Sequence, residues 1–407
     1  MMALKILQKF LDTTSIFLKF FTLSDGFAPG TIQNFYTFMS SKTQKPVDMN
    51  INHSCILPRA TWANPILLSI LILLTLSPGH SQVPAPDKVR QDFKRLLHRP
   101  DSPLRASFES IKTDSVLIEK GFFYSEATEK VPVLIYKPLA AEQKKLPVVI
   151  CLHGTGGNKE GMKVLLYRLS KAGFMAVAMD GRYAGEREKA STGPNAYVEA
   201  ITRAWQNTDK DQQEHPFFYD TAYDSWKLID YLTSRTDVDP LRLGMMGISK
   251  GGIETIMAAS VDTRIKVAVP MIALQSFHWS LENDRWQGRA KTIWNAHLQA
   301  AKDLGDSEVN KKNMEAFWNK LIPGITDEYD FPSMIRLFSP RPLLLLNTEN
   351  DQNCPLPGAK IAFASALKSY EADHAIDKLM FDVEPNEPHR TTPRHLDMMI
   401  AWFVRWL

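Results

Sequence analysis

The chain reads Gly247-Ile248-Ser249-Lys250-Gly251 between two runs of different character. A strand-like run precedes these residues (241–246), and a helix-like run follows them (253–259). A Gly-x-Ser-x-Gly sequence at a strand-to-helix turn is typical of a nucleophile elbow, in which glycines permit a tight turn and the serine hydroxyl stands clear of the sheet. The pattern therefore predicts a nucleophile at Ser249, and the alternative is an ordinary glycine-rich turn.

A nucleophilic serine needs a general base, and that base needs an acid to orient it. Downstream of Ser249, one buried strand ends in a loop that carries Asp351, and a second strand leads to a loop that carries His389. Open α/β sheets assemble their sites at the carboxyl ends of their strands. We therefore predict a triad of Ser249, His389 and Asp351. Glu349 is the rival acid, and the rival base, His395, is expected to face solvent or to cap the closing helix.

Backbone N–H groups, rather than special side chains, stabilise the oxyanion of acyl transfer. One donor is predicted at Lys250, the residue after the nucleophile. The other is predicted at Thr155, with Gly154 as the next choice, in the glycine-rich loop 153–157 that follows an apolar strand. We expect His153, ahead of the glycines, to brace this turn rather than to take part in chemistry.

Strand-like and helix-like segments alternate from about residue 147 to the end of the chain. Two further strand-like segments, 116–124 and 131–136, come before this alternation. Strands that alternate with helices indicate an α/β protein with a mostly parallel central sheet flanked by helices.

Residues 275–339 interrupt the alternation and carry many aromatic residues among charged ones. We expect this insertion to form a small helical cap. Trp279 and Trp286 are seven positions apart, so on a single helix they would share one face. That face is either the core of the cap or the lid of an aromatic-lined substrate pocket.

Several motifs occur in a fixed order along the segment 131–407. They are His153-Gly154-Thr155-Gly156-Gly157, Asp180-Gly181-Arg182, Asp239-Pro240-Leu241-Arg242-Leu243-Gly244 leading into the elbow, Asp351 with Pro355, and His389 followed by Thr392-Pro393 and Trp402. Together they resemble the α/β-hydrolase superfamily, in the branch of dienelactone hydrolases, acetyl xylan esterases and prolyl-oligopeptidase-like catalytic domains. The chain departs from that pattern at Lys250, where related enzymes often carry an aromatic residue, Met or Leu, and at Asn353-Cys354-Pro355.

The resemblance implies a serine esterase that needs no cofactor and cleaves a small-molecule or carbohydrate ester through an acyl-enzyme. Amide cleavage in this branch generally comes with extra recognition domains, and no β-propeller-length region precedes the predicted catalytic domain. A peptidase acting on short peptides is the alternative enzyme. A non-catalytic hydrolase-fold binding protein is the alternative from another class.

The amino-acid composition narrows the classes of protein that remain possible. Of 407 residues, 44% are hydrophobic and 23% are charged, as in a globular protein with a sizeable core. A formal charge of +3 is too small to predict a nucleic-acid surface. Three cysteines are too few for a disulfide framework, and no metal-binding spacing is present, so no metal site is expected. The oligomeric state is left open.

The amino-terminal region predicts export. An apolar run (65–76) is too short for a membrane span and is followed by small residues, which is typical of a signal peptide cleaved near Ser81. Met49 is a plausible true start, so residues 1–82 are interpreted as an extension plus signal peptide. The alternative is an uncleaved membrane anchor. We assign 83–115 to a linker and short helix, and 116–407 to the catalytic domain, a periplasmic or secreted enzyme with no stable membrane span after cleavage.

Overall fold

A twisted β-sheet organises the folded part of the protein. The computed structural model describes residues 85–139, 145–188 and 195–407. The predicted start at Met49 and the predicted cleavage near Ser81 lie outside these residues. Within the described residues, no helix is both long enough and apolar enough to cross a membrane.

Nine strands of the described residues belong to this sheet. They are β1 (Ser107–Lys112), β2 (Val116–Tyr124), β3 (Lys130–Pro138), β4 (Leu146–Leu152), β5 (Met175–Met179), β6 (Val238–Ile248), β7 (Ile265–Met271), β8 (Leu343–Thr348) and β9 (Leu379–Glu384). The spatial order is β1-β2-β3-β5-β4-β6-β7-β8-β9. The first three strands pair antiparallel, as does β3 with β5, while every pair from β5 to β9 is parallel.

Helices cover both faces of the sheet. They are α1 (Pro86–Leu96), α2 (Lys163–Lys171), α3 (Ala196–Gln206), α4 (Tyr219–Ser234), α5 (Lys250–Val261), α6 (Phe277–Glu282), α7 (Gln287–Lys291), α8 (Trp294–Asp303), α9 (Lys311–Leu321), α10 (Phe331–Ile335), α11 (Leu356–Ala372) and α12 (Pro393–Trp406). Residues of β4 alternate between two apolar clusters, with Val148 and Ile150 in one and Val149 and Cys151 in the other. The sheet is therefore buried on both faces, as parallel sheets are.

This architecture confirms the predicted α/β-hydrolase fold with its mostly parallel sheet. It also contains the expected helical insertion, because helices α6 to α10 all lie between β7 and β8. The sheet begins earlier than predicted. Strand β1 lies within the segment interpreted as a linker and pairs with β2. The side chains of β1 are mostly exposed, so its sequence lacks the apolar alternation that reveals a strand.

Parallel pairing sets the position of the candidate site. Strands β4, β6, β7 and β8 run in the same direction, so their carboxyl ends meet at one edge of the sheet. The loop after β4, the elbow after β6 and the loop after β8 therefore converge there. This is the edge at which open α/β sheets bind their ligands.

Candidate active site

Ser249 occupies a strained turn between β6 and α5. Its backbone has φ 56° and ψ −113°, a conformation that non-glycine residues rarely adopt. The turn is also too tight for side chains on either side, because a Cβ built on Gly247 would lie 2.0 Å from the carbonyl oxygen of Gly251. These features are those of a nucleophile elbow, in which strain holds the serine hydroxyl above the sheet.

The structure brings together Ser249, His389 and Asp351, although they are far apart in sequence. The Ser249 Oγ lies 2.7 Å from His389 Nε2, and His389 Nδ1 lies 2.7 Å from Asp351 Oδ2. The Asp351 side chain is fully buried, whereas the His389 side chain remains 21% exposed. This is the geometry of a hydroxyl, a base and an orienting carboxylate in series.

The loop that follows β8 fixes the carboxylate of Asp351. Its Oδ1 accepts hydrogen bonds from the backbone N–H groups of Asn353 (2.7 Å) and Cys354 (2.9 Å). The histidine loop is held separately, since Thr348 Oγ1 donates to the carbonyl oxygen of Pro388 at 2.8 Å. The acid and the loop that carries the base are thus placed by contacts that leave the imidazole itself accessible.

The two rival residues lie elsewhere. Glu349 Oε2 accepts a hydrogen bond from the Asn386 N–H at 2.8 Å, so this carboxylate stabilises the loop ahead of His389. His395 was expected to face solvent or cap the helix, and this expectation is wrong. Its side chain is fully buried, with Nε2 3.1 Å from Asp382 Oδ1, because α12 packs that face against β9.

The predicted oxyanion loop lies directly beside the serine. A Cβ built on Gly154 would be 3.6 Å from the Cβ of Ser249, so the loop backbone passes close to the nucleophile. Gly157 N–H donates to Gly154 O at 3.0 Å and closes a β-turn, in which Gly156 has φ +74°. Within the described residues the Thr155 N–H has no hydrogen-bond partner. Lys250 is the first residue of α5, where helical N–H groups lack internal partners.

His153 braces this loop, as expected from the sequence. Its Nε2 accepts the N–H of Gly181 at 3.0 Å, so Nδ1 carries the proton and donates to Gly154 O at 2.8 Å. Burial lowers the pKa of His153 to about 4, and the nearby charge of Lys250 lowers it further. The imidazole is therefore neutral near pH 7 and joins the loop after β4 to the loop after β5.

The Asp180-Gly181-Arg182 motif organises the loop after β5. Asp180 accepts from both the N–H (2.8 Å) and the Nζ (2.9 Å) of Lys159. Arg182 forms two bonds of 2.9 Å with the carboxylate of Asp224. Burial opposes ionisation of Asp224, but Arg182 and Arg187 outweigh it and lower the pKa of Asp224 to about 2. These contacts anchor a loop that borders the site.

The side chain of Lys250 turns away from solvent. It is 2% exposed, and its Nζ lies 2.6 Å from Oε1 of Glu254, which is 1% exposed. The ammonium also lies 5.4 Å from the ring centre of Tyr197. Burial raises the pKa of Glu254, and Lys250 opposes that rise. The family departure at Lys250 therefore creates a buried ion pair on the helix that carries the serine.

The two tryptophans proposed for the pocket do not share a helix, so that premise is wrong. Trp279 lies on α6, whereas Trp286 precedes α7, and Asp284 between them has φ 52°, which no helix accommodates. Trp286 is 6% exposed and joins the apolar core. Trp279 lines a surface cleft beside α11 that neither Ser249 nor His389 lines.

Sequence reasoning gave little weight to two residues beside the triad. Cys354, Asp351 and His389 have polar atoms within 4.8 Å of one another, which is a possible metal-ligand grouping. However, Arg289 Nη2 lies 3.0 Å from Cys354 Sγ, and burial raises the pKa of that thiol. A neutral thiol beside a guanidinium is a poor cation ligand. Only the unusual Asn353-Cys354-Pro355 sequence had pointed to this corner of the site.

The fold and the serine elbow are those of the α/β-hydrolase superfamily. Within that superfamily, residues 101–281 match the family model of acetyl xylan esterase (AXE1). This match covers the glycine-rich loop, the motif after β5 and the elbow. It falls within the branch that the sequence motifs indicated.

Comparisons with individual proteins show similarity to hydrolases as well. The chain is 43% identical to the putative hydrolase YtaP of Bacillus subtilis (strain 168) over 209 residues, which span 47% of this chain and 65% of that protein. It is 29% identical to the uncharacterized protein YcjY of Escherichia coli (strain K12) over 162 residues, or 40% and 45% of the two chains. The matched region thus spans less than two thirds of either relative. An acetyl xylan esterase from Paenibacillus sp. R4 shares the fold, with a TM-score of 0.57 at 19% identity, covering 83% of this chain and 99% of that one.

Proposed function

We propose that the protein is a serine carboxylic ester hydrolase. The observation that carries this proposal is the 2.7 Å contact between Ser249 Oγ and His389 Nε2, in series with the 2.7 Å contact to Asp351. His389 takes the proton of Ser249 as the hydroxyl oxygen attacks the ester carbonyl. Asp351 holds the imidazole in the required orientation and stabilises the imidazolium that forms.

The negative charge that develops on the carbonyl oxygen needs donors already in place. We assign this role to the backbone N–H groups of Lys250 and Thr155, because the loop of Thr155 passes beside the serine. The imidazolium then gives its proton to the leaving alcohol. A water molecule, deprotonated by His389, hydrolyses the acyl-enzyme and returns Ser249 to its starting state.

The match to acetyl xylan esterase favours an ester of a carbohydrate or of another plant-derived compound as the substrate. The predicted signal peptide agrees with an exported enzyme that meets such material outside the cytoplasm. Peptide mass spectrometry of the protein from its native host tests the proposed export. A peptide beginning at Gln82 is expected, and peptides from residues 1–48 would contradict the start at Met49.

The chemical proposal is tested by labelling the purified protein with a fluorophosphonate probe and by assaying acyl esters beside aminoacyl anilides. We expect an adduct on Ser249 that is lost after heat denaturation, and turnover of the esters. Ser249→Ala should lose both, whereas Ser339→Ala, at a half-buried serine that bonds Asp373, should lose neither. Labelling of another serine, or turnover of anilides alone, would overturn the esterase assignment.

A further inference from the structure

Helix α7 of the cap packs directly on the loop that carries the acid. A Cβ built on Gly288 would lie 2.0 Å from the carbonyl oxygen of Gln352, the residue after Asp351. The next residue of the helix, Arg289, is only 2% exposed. The cap therefore buries an arginine against the acid loop.

All the hydrogen-bond partners of Arg289 are neutral. Its Nη2 donates to Asn353 O at 3.2 Å and to Cys354 Sγ at 3.0 Å. With the amide of Gln275 oriented so that its nitrogen donates to Asn353 O, the amide oxygen accepts from the same Nη2 at 3.3 Å. The Nε is buried and has no partner among the described residues.

No carboxylate of the described residues lies within 4.0 Å of the Arg289 guanidinium. Burial raises the pKa of Cys354, so that side chain is a thiol and supplies no negative charge. Among the described residues, the guanidinium of Arg289 therefore has no ion-pair partner.

Other buried arginines of this protein are satisfied. Arg182 forms its two bonds with the carboxylate of Asp224. Arg187, whose side chain is 6% exposed, forms ion pairs with Glu129 at 3.0 Å and with Asp224 at 2.7 Å. An unpaired charge in a protein interior costs several kcal/mol. Such a charge beside a catalytic residue indicates a site for a negatively charged ligand that pairs with it.

The guanidinium lies beside the acid and the base of the candidate triad. On one side only Cys354 separates it from Asp351 and His389. On the other side lies Tyr197, whose ring is 5.4 Å from the Nζ of Lys250, next to the serine. Burial raises the pKa of Tyr197, the charge of Glu254 raises it further, and the charge of Arg289 opposes this rise.

Two further donors share this corner. The Tyr197 hydroxyl and the Trp286 Nε1 are buried and lack hydrogen-bond partners among the described residues. Trp286 is three residues before Arg289 and accepts the N–H of Ala290, so the two side chains project from one face of a helical turn. The Tyr197 hydroxyl, the Trp286 Nε1 and the Arg289 Nε are thus three buried donors without partners among the described residues.

We propose that Arg289 binds a carboxylate group of the substrate, with the Tyr197 hydroxyl and the Trp286 indole N–H as neighbouring donors. The preferred substrates are then esters that carry a free carboxylate. A guanidinium suits this task because its planar fork binds both carboxylate oxygens at once. The inference rests on the proposed esterase function and narrows its substrate class.

The test compares kcat/KM for matched charged and uncharged esters. For a carboxylate in the acyl part, 4-nitrophenyl hemiglutarate is paired with 4-nitrophenyl pentanoate. For a carboxylate in the alcohol part, 3-acetoxybenzoate is paired with 3-acetoxybenzamide. Hydrogen bonds to charged groups are worth enough to predict a preference of about 10- to 100-fold for the acidic member of one pair. A preference below about threefold in both pairs refutes the proposal.

Variants of Arg289 show whether this arginine causes the preference for acidic esters. Arg289→Met should remove most of that preference, chiefly through KM, and Arg289→Lys should keep part of it. Arg285→Met removes an exposed arginine of the same turn and should leave the preference unchanged. If Arg289 only positioned the acid loop, kcat would fall equally for both members of each pair. That result would overturn the proposal, as would full retention of the preference.

A binding measurement separates this inference from the esterase proposal. Calorimetry on Ser249→Ala compares monomethyl glutarate with methyl pentanoate, and 3-acetoxybenzoate with its amide. Tighter binding of the charged compound, lost in Ser249→Ala/Arg289→Met, supports the carboxylate subsite even if no ester is turned over. Equal affinities for both members of each pair refute the subsite even if the esterase activity is established.

Discussion

Replacing Lys250 with methionine should destabilise the protein strongly, although the side chain takes no part in the proposed chemistry of the neighbouring Ser249. Methionine keeps the unbranched stem and most of the volume but removes the charge. The lost contact is the 2.6 Å pair with Glu254, in which the two side chains are 2% and 1% exposed. Removing one member of a buried pair leaves the other uncompensated, which costs about 3–5 kcal/mol.

The loss of stability in Lys250→Met should be larger at neutral pH than at acidic pH. Burial already raises the pKa of Glu254, and Lys250 opposes that rise, so removing Lys250 raises it further. An acid whose pKa is higher in the folded state than in the unfolded state destabilises the fold above its unfolded pKa of about 4.3. As the pH falls, the carboxyl group becomes neutral in both states. The deficit of the variant should therefore be largest near pH 7.5 and smaller near pH 5.

Urea unfolding followed by circular dichroism at pH 7.5 and pH 5 measures this effect. The double variant Lys250→Met/Glu254→Leu removes both charges and should recover to within about 1.5 kcal/mol of the native protein. Lys88→Met, which breaks the exposed pair between Lys88 and Asp92 at the same i,i+4 spacing, should leave the free energy of unfolding unchanged within error. A Lys250→Met protein within about 1 kcal/mol of native at pH 7.5, or one whose deficit grows at pH 5, contradicts the assignment of a buried pair.

Two further predictions concern the acid and the brace. Asp351→Asn should lower kcat by about 10³- to 10⁴-fold because His389 loses its orienting carboxylate, while Glu349→Gln should change it only a few-fold; the reverse order in ester kinetics would exchange their roles. His153→Gln should lose less stability than the native protein on acidification. The pKa of His153 is lowered to about 4, so only the unfolded state takes up this proton below about pH 6.5, and the native protein should lose about 2 kcal/mol more than the variant between pH 7 and pH 5 in urea unfolding.

The sheet and the candidate triad were predictable because their signals are local. Buried parallel strands such as β8 read as short continuous apolar runs, and the turns that follow them are marked by glycine, proline and polar residues. Ser249, Asp351 and His389 each lie in such a turn. Their order along the chain and the parallel direction of the strands were enough to predict that they meet at one edge.

The cap was less predictable because its helices are short. The seven-residue spacing of Trp279 and Trp286 indicates one helix only if the backbone between them is helical, and Asp284 at φ 52° ends that regularity. The prediction for His395 was wrong for a different reason. Its burial depends on Asp382, a residue of the neighbouring strand, and no local pattern in α12 reveals that partner.

Arg289 shows a third kind of limit. In sequence it is one charged residue among many in an insertion, and an exposed position is the normal expectation for such a side chain. The role proposed for Arg289 rests on the lack of a carboxylate partner among the described residues. Only the three-dimensional arrangement shows that the residue is buried, that its bonds are to neutral groups, and that its Nε has none among the described residues.

The cap and the catalytic loop are coupled through backbone contact, so specificity and catalysis are not independent in this protein. The N–H groups of Asn353 and Cys354 hold the carboxylate of Asp351, and the carbonyl of Asn353 and the sulfur of Cys354 accept bonds from Arg289. The same two residues thus position the acid and contact the candidate carboxylate site. Gly288 permits this arrangement, because any Cβ there would push α7 away from the loop. A substrate carboxylate that engages Arg289 would accordingly act on the loop that orients the base, so a smaller effect on kcat should accompany the main effect on KM.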